Sequence, residues 1–308
     1  MQMTFRWFGD EKDTVSLEQI RQIPGVTGVV PALHTLPCGE AWPFDMIKAM
    51  KDEIEKAGLT MECIESVNVH EDIKLGLPSR EKYIENYIES IRNLSRCGVK
   101  VICYNFMPVL DWARTDLAHP NPNGTTNLYF SYPEFAYFDI HILKRENAAE
   151  DWKVMGDKIN RDILGEVEEL KAKMTPADDH KLVDNIIVKT QGFVSGNIKE
   201  DDEHPVELFR QLLNLYKGIT KEQLRENMRY FLNAIMPVCE ECDMYMCVHP
   251  DDPPFPILGL PRIVTCDEDI EWFLNAVDNP HNGLTFCAGS LSAGKHNDVV
   301  ALARKYAS

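Results

Sequence analysis

The chain has 308 residues, of which 49 are acidic and 32 basic, and its formal net charge at neutral pH is −17. This surplus of negative charge repels phosphate backbones and anionic lipid surfaces, which argues against a nucleic-acid or membrane partner. No stretch approaches the roughly 18 apolar residues of a membrane span, and the N-terminus has no leader pattern, so we expect a soluble, cytoplasmic protein. Nine cysteines scattered through apolar runs predict reduced thiols.

Short apolar runs alternate with longer amphipathic ones along most of the chain. This alternation is typical of repeated βα units around a parallel sheet and predicts an α/β fold. The predicted strands are 3–8, 25–33, 59–67, 99–106, 244–249 and 283–288. The predicted helices are 16–23, 43–57, 80–97, 221–242, 267–277 and 298–307.

The segment 107–219 interrupts this rhythm. It contains the turn-rich stretch HPNPNGTTN and an aromatic patch, and it far exceeds the about 2–6 residues of an ordinary βα loop. We therefore predict one domain over 1–308, with 107–219 as an insertion that forms a cap or a subunit contact. The aromatic patch at 129–137 is either an interface of a homo-oligomer or buried within its own subunit.

A histidine and a cysteine follow two predicted strands near the C-terminus. His249 ends an apolar run and is followed by Asp251, Asp252 and several prolines that stop regular structure. One imidazole with two carboxylates suits a divalent transition metal, although a histidine at a strand end can also be purely structural. Cys287 ends the run LTFC, and neighbouring strands lie about 4.8 Å apart, so His249 and Cys287 can reach one ion.

Other predicted strands also end in polar or aromatic side chains. These are Arg6 and Trp7 on the first strand, Glu65 on the third and Asn105 on the fourth, with Asp111, Trp112 and Arg114 just beyond. Together they predict a pocket at the carboxyl ends of the strands, although each arginine could simply pair with a carboxylate. The sequence contains no GxGxxG, Walker A, GxSxG or HExxH motif, which argues against hydride transfer, nucleotide hydrolysis and serine hydrolysis.

Six segments, in order along the whole chain, resemble the mannonate dehydratase family. They are FRWFG at 5–9, IESVNVHEDIK at 64–74, CYNFMPVLDWART at 103–115, FDIHILKR at 138–145, CVHPDDPPFPILGLPRIV at 247–264 and NGLTFCAGSLSA at 282–293. The resemblance implies a TIM-type (β/α) barrel of the xylose isomerase-like kind. It also implies that Mn²⁺ or Fe²⁺ assists the loss of water from D-mannonate, which gives 2-dehydro-3-deoxy-D-gluconate in hexuronate (glucuronate) catabolism.

The resemblance also assigns roles to single residues. His249 and Cys287 match metal ligands of the family, and Asp251 and Asp252 are then expected to shape the proline loop. Five residues match motifs expected to contact substrate, namely Arg6, Trp7, Asn105, Trp112 and Arg114.

The family's other ligands and its acid/base residues belong to two further βα units. Only six units are predicted in this sequence, whose last residue is Ser308. We therefore expect the last two units to be absent and the family's acid/base residues to correspond to positions beyond Ser308. On this expectation the catalytic residues are unidentified, and these 308 residues alone are inactive.

Two alternatives remain open from the sequence. One is a metal-dependent sugar or sugar-acid isomerase on the same barrel, which product analysis would distinguish because isomerisation conserves mass. The other is an inactive, truncated barrel that binds a sugar acid or a partner subunit. Tight, stoichiometric Mn²⁺ would argue against an inactive site.

Overall fold

A parallel β-sheet forms the centre of the protein. A computed structural model describes residues 1–10, 12–193, 196, 198–199 and 201–307. The parallel strands are β1 (Met3–Arg6), β2 (Val26–Val30), β3 (Cys63–Glu65), β4 (Val101–Tyr104), β7 (Tyr245–Val248) and β8 (Asn282–Leu284). Two further strands, β5 (Asp116–Pro120) and β6 (Thr126–Tyr129), form a separate antiparallel hairpin. The predicted α/β fold is confirmed: five of the six predicted strands contain an observed one, and the sixth, 283–288, overlaps β8.

The parallel strands are arranged in chain order. β1 pairs with β2, and a second ladder runs β3-β4-β7-β8. An isolated parallel bridge between Gly28 and Thr60 joins the two groups. This one-directional order is the order of a singly wound α/β fold. Within the part of the chain that the structure describes, no ladder joins β1 to β8, so the TIM-type barrel remains a prediction.

The expectation about the last two βα units also remains a prediction. It places the family's acid/base residues beyond Ser308, and Ser308 itself lies outside the described residues. The last described element is the helix Val299–Tyr306, which agrees with the predicted helix 298–307. The structure therefore neither supplies these acid/base residues nor tests whether further units follow.

Helices cover the sheet and build the insertion. Around the sheet lie α1 (Leu17–Arg21), α2 (Phe44–Lys56), α3 (Glu71–Leu75), α4 (Arg80–Arg96), α11 (Lys221–Cys242), α12 (Asp267–Ala276), α13 (Ala288–Ser292) and α14 (Val299–Tyr306). The insertion contains α5 (Tyr132–Tyr137), α6 (Ala148–Ile159), α7 (Ile163–Lys171), α8 (Pro176–Val183), α9 (Lys189–Phe193) and α10 (Pro205–Leu215), with π-helical turns at Phe138–Ile142 and Asp184–Val188.

The main hydrophobic core lies between the sheet and these helices. Ile64 and Ile102 on the strands are completely buried, as are Ile91 on α4 and Phe231 on α11. On α4 the apolar side chains recur at spacings of three and four, which gives the helix one continuous apolar face. The core thereby holds the strands rigidly and positions the residues that follow them.

The insertion has a second hydrophobic core of its own. This core combines insertion side chains such as Phe135, Phe138 and Phe209 with Phe255 and Leu260 from the proline-rich loop after β7. The insertion therefore packs directly on the loop that follows His249.

The aromatic patch at 129–137 is partly buried within its own subunit. Phe135 and Tyr137 are buried in the second core, residues 130–134 are half-buried, and Tyr129 at the edge of the patch is exposed. The interface of a homo-oligomer remains a prediction.

The local structure differs from the predicted elements in two places. Glu71–Leu75, which no predicted helix covers, form α3, which His70 caps by accepting a hydrogen bond from the Asp72 N–H. Strand β8 ends at Leu284, so Cys287 is the N-cap of α13 rather than the last strand residue. All nine cysteines are free thiols, as predicted.

A buried carboxylate in the insertion gives a stability prediction. The side chain of Asp139 is fully buried and accepts hydrogen bonds from Arg145 Nη2 at 2.8 Å and Trp152 Nε1 at 2.9 Å. Replacing Asp139 by alanine leaves both donors without this partner, and we expect a loss of about 3–5 kcal/mol in unfolding free energy. Urea denaturation measures this loss. The matched control is Asp157→Ala, whose exposed pair with Lys153 should change stability by less than about 1 kcal/mol; equal effects for the two variants would contradict the prediction.

Candidate functional site

The candidate site lies at the carboxyl ends of the parallel strands. His249 directly follows β7, and its backbone N–H donates to the carbonyl oxygen of Tyr104 at 2.8 Å. Tyr104 and Val248 are partners in the β4–β7 ladder. This register places Asn105 beside His249 at the rim of the sheet, as the sequence predicts.

The side chains of His249 and Cys287 lie next to each other and interact electrostatically. The Nδ1 atom of His249 lies 2.7 Å from the carbonyl oxygen of Pro250, which leaves Nε2 as the nitrogen available to a ligand. The thiol of Cys287 also accepts a hydrogen bond from the Ser290 N–H at 3.4 Å. The fold thus brings together the two residues that the sequence predicts as metal ligands.

The contact between His249 and Cys287 changes the ionisation of both groups. Burial favours the neutral imidazole, but the hydrogen bond and charge of Cys287 outweigh it and raise the pKa of His249 to about 9. Burial also disfavours the thiolate, but His249 and Ser290 lower the pKa of Cys287 to about 7. At pH values between these two pKa values the charged forms, imidazolium and thiolate, are therefore favoured.

The pair satisfies part of the requirement for a metal site. A thiolate and an imidazole nitrogen are common ligands of divalent transition metals, and a histidine whose other nitrogen contacts a carbonyl is the usual arrangement. Protein sites for catalytic ions normally use three or more side chains. Among the residues that the structure describes, no cluster of three or more His, Cys, Asp or Glu side chains is arranged to hold an ion. Within the described part of the chain, His249 and Cys287 can therefore supply two of the ligands of a metal ion.

The first strand contributes an arginine that is already engaged. Arg6 Nη1 donates to the carbonyl oxygens of Trp7 at 2.9 Å and Val30 at 2.8 Å, while Nε lies 3.7 Å from the carboxylate of Glu65. Trp7 is buried in the main core, and its indole N–H has no hydrogen-bond partner within the described structure. Arg6 could therefore contact a substrate only through the N–H groups that these partners leave. Trp7 is too deeply buried to present more than a small part of its side chain to a substrate.

The proline loop is held by both of its aspartates. Arg114 forms a bidentate pair with Asp252, with both N–O distances at 2.7 Å. Asp251 is buried and accepts hydrogen bonds from the backbone N–H groups of Ile263 and Val264, each at 2.7 Å. These contacts agree with the expectation that the two aspartates shape the loop, and they leave Arg114 with little free hydrogen-bonding capacity.

A cavity of about 1100 Å³ opens between the sheet rim and the insertion. Its polar wall includes Lys74, Glu71 and Asp111, whereas His249 and Cys287 do not line it. Asp111 connects the two regions, because its Oδ2 accepts a hydrogen bond from Asn105 Nδ2 at 3.1 Å. Trp112 is half-buried next to Asp111.

A buried network across the cavity wall was not predicted from the sequence. Lys74 is 4 % exposed and donates to Glu71 at 2.7 Å and to the carbonyl oxygen of Met107 at 2.7 Å. Glu71 in turn accepts a hydrogen bond from the hydroxyl of Tyr216 at 2.5 Å. The network ties α3 to the far end of the insertion. The only sequence signal for this network is the spacing of Glu71 and Lys74. In a helix over 71–75 this spacing places both side chains on one face.

The fold and the site define a class of protein, an α/β enzyme whose polar site follows the carboxyl ends of parallel strands and contains a thiolate–imidazole pair suited to a transition metal. The family model for D-mannonate dehydratase (UxuA) matches residues 1–308, and the chain belongs to this family of hydro-lyases. The predicted family and enzyme class are confirmed.

Individual relatives agree with this assignment. The mannonate dehydratase of Thermotoga maritima is 47% identical over 306 residues, which are 99% of this chain and 73% of that protein. The corresponding enzyme of Geobacillus thermodenitrificans is 44% identical, with 71% of its length matched. The crystal structure of mannonate dehydratase from Streptococcus suis serotype 2 superimposes with a TM-score of 0.71 at 38% identity, covering 99% of this chain and 69% of that one. Within the described residues, no helix has the length and apolarity that crossing a membrane requires.

Proposed function

We propose that this chain removes water from D-mannonate to give 2-dehydro-3-deoxy-D-gluconate, with Mn²⁺ or Fe²⁺ held by His249 and Cys287. The observation that carries the metal assignment is the side-chain contact between these two residues at the rim of the sheet. The chain-order arrangement of the six parallel strands supports the further proposal that they belong to a TIM-type barrel.

The donor pair favours one of the two metals. Thiolate and imidazole are softer ligands than carboxylate oxygen, and the affinity of such sites generally increases from Mn²⁺ to Fe²⁺. We therefore expect this chain to bind Fe²⁺ more tightly than Mn²⁺. When bound, the divalent cation supplies Lewis-acid stabilisation of the negative charge that develops on the substrate.

The residues around the pair suit the handling of a sugar acid. Dehydration requires that a proton leave C2 and that the hydroxyl group leave C3 together with a proton. Asn105, beside His249, offers an amide that can hold a substrate hydroxyl in place. Arg6 and Arg114 are the cationic groups at this rim, and only the N–H groups that Glu65, Asp252 and the backbone carbonyls leave could contact the substrate carboxylate.

The test is a product assay on the purified chain. The protein is loaded with Mn²⁺, or with Fe²⁺ without oxygen, and incubated with D-mannonate. We expect a 2-keto acid whose mass is lower than that of the substrate by one water, and this result would also refute the expectation that these 308 residues are inactive. A product of unchanged mass would identify an isomerase instead. No product from a folded, metal-loaded chain would overturn the proposal.

A further inference from the structure

Asp111 stands out because the chemistry proposed above assigns it no role. It lies on the wall of the 1100 Å³ cavity, six residues after Asn105. Its Oδ2 accepts a hydrogen bond from Asn105 Nδ2 at 3.1 Å. Asn105 is the residue that the β4–β7 ladder places beside His249. Asp111 therefore joins the cavity to Asn105, the residue beside the metal-ligand pair.

The contact selects one orientation of the Asn105 amide. An amide side chain carries a donor group and an acceptor atom of nearly equal size, so it can be placed either way round. A carboxylate only accepts hydrogen bonds, so Asp111 requires the NH₂ group of Asn105 to face it. The carbonyl oxygen Oδ1 is then the atom left for other contacts, and no protein donor bonds it among the residues that the structure describes.

Burial and nearby groups act in opposite directions on the Asp111 carboxyl, whose pKa is raised on balance. Burial raises the pKa of this carboxyl, while the charge of Lys74 and the hydrogen bond from Asn105 oppose that effect. Lys74 is itself held in place by Glu71 and by the carbonyl oxygen of Met107. A fixed, buried cation close to Asp111 stabilises the carboxylate form that accepts the Asn105 N–H.

We propose that Asp111 is a positioning residue, which holds the Asn105 amide so that its Oδ1 accepts a hydrogen bond from a hydroxyl group of the sugar acid. An acceptor at this point binds O–H groups and repels a carboxylate, so Asn105 would contact the polyol part of the substrate rather than its acid group. This inference rests on the proposed dehydration of D-mannonate, because it takes that sugar acid as the ligand.

A double-mutant cycle tests the inference through binding. Calorimetric titration of D-mannonate into the metal-free chain, where the proposed metal-assisted dehydration does not consume it, gives the affinity for the wild type, Asn105→Ala, Asp111→Ala and the double variant. We expect each single change to weaken binding by about 3- to 10-fold, the loss of about one hydrogen bond, and the double variant to be no weaker than either single one. Two effects that multiply in the double variant would show that the residues act independently and would overturn the proposal.

The conservative substitution Asp111→Asn separates positioning from proton transfer. The new amide can still present a carbonyl oxygen to Asn105, so we expect binding and kcat/KM within about 3-fold of the wild type. A loss as large as that of Asp111→Ala would mean that the charge or a proton of Asp111 matters, which contradicts a positioning role. The matched control is Asp116→Ala, which removes a carboxylate that pairs with Lys181 in the hairpin and should change neither value.

Two further outcomes keep the conclusions distinct. If Asp111→Ala does not fold, Asn105→Ala is compared with Asn105→Ala/Asp111→Asn, and the proposal requires equal affinities because residue 111 then has no amide to position. If the wild type binds D-mannonate and forms the keto acid but Asp111→Ala behaves like it, this inference alone fails. If the folded wild type neither binds nor converts D-mannonate, the proposed function fails and this inference with it.

Discussion

Replacing His249 by alanine is expected to weaken metal binding by at least about 100-fold and to abolish metal-dependent turnover. Loss of a partner that merely orients a ligand typically costs 10- to 100-fold in metal affinity, and loss of the ligand itself costs more. The described residues provide two candidate ligands, so Cys287 would have to hold the ion without its neighbour. Titration of Fe²⁺ and Mn²⁺ into both proteins, followed by calorimetry, measures the change.

A second readout of the same variant does not depend on metal or activity. His249 lowers the pKa of Cys287 to about 7, against the effect of burial. Without the imidazole, only burial and Ser290 act on this thiol, so its pKa rises and its thiolate fraction at pH 7 falls. Because the thiolate is the reactive form, we expect alkylation of Cys287 at pH 7 to slow by about 10-fold. Mass spectrometry of the peptide that contains Cys287 distinguishes it from the other eight cysteines.

The matched control for this variant is a histidine at the amino ends of the parallel strands, on the opposite side of the sheet from His249. His281 directly precedes β8, stacks on Tyr245 and lies 3.7 Å from Asp243. We expect His281→Ala to leave both metal affinity and Cys287 alkylation unchanged. Unaltered metal binding in His249→Ala would refute the assignment of His249 as a ligand, whatever the thiol reactivity.

Replacing Asp251 by alanine is expected to be among the most destabilising single changes in this protein. Asp251 is 2% exposed, accepts two backbone hydrogen bonds and lies 3.6 Å from Arg262, whose side chain is completely buried. Alanine leaves Arg262 as a buried charge without this carboxylate, and we expect a cost of about 3–5 kcal/mol. In a chain of this size, this corresponds to a decrease of roughly 5–8 °C in the thermal unfolding midpoint.

A compensating change at Arg262 tests the cause of that loss. Because the unpaired buried charge is the main penalty, we expect Asp251→Ala/Arg262→Met to unfold at a higher temperature than Asp251→Ala alone. The exposed Asp52, which pairs with Lys48 on α2, provides the control, and Asp52→Ala should shift the midpoint by less than about 2 °C. A midpoint for Asp251→Ala within the same limit would contradict the structural role given to this carboxylate.

The strands and the rim were predictable because they depend on local patterns. Apolar runs such as that ending at His249 are continuous, and the prolines after it cannot extend a strand, so the position of the histidine followed directly. The short helix at Glu71–Leu75 was missed because five residues are too few to show a helical period, and the cap that starts it is a histidine side chain. Cys287 was placed at a strand end because LTFC is apolar throughout, although pairing stops at Leu284.

The partners of the charged residues could not be predicted from the sequence. Arg114 and Asp252 are 138 residues apart, and Glu71 and Tyr216 are 145 residues apart. Either arginine at the rim could have been free for substrate. The folded chain shows Arg114 engaged with a carboxylate and Arg6 with backbone carbonyls, and it shows Asn105 held by Asp111.

The sequence by itself determined the class of fold, the family and the residue types at the rim, because hydrophobic periodicity, prolines and motif order are properties of neighbouring residues. Only the tertiary structure decided which of those residues act together. The contact of His249 with Cys287, the loop anchored by Asp251 and the orientation of the Asn105 amide all depend on strand register and on packing between distant segments. Such contacts form only when the core has brought those segments within a few ångströms of each other.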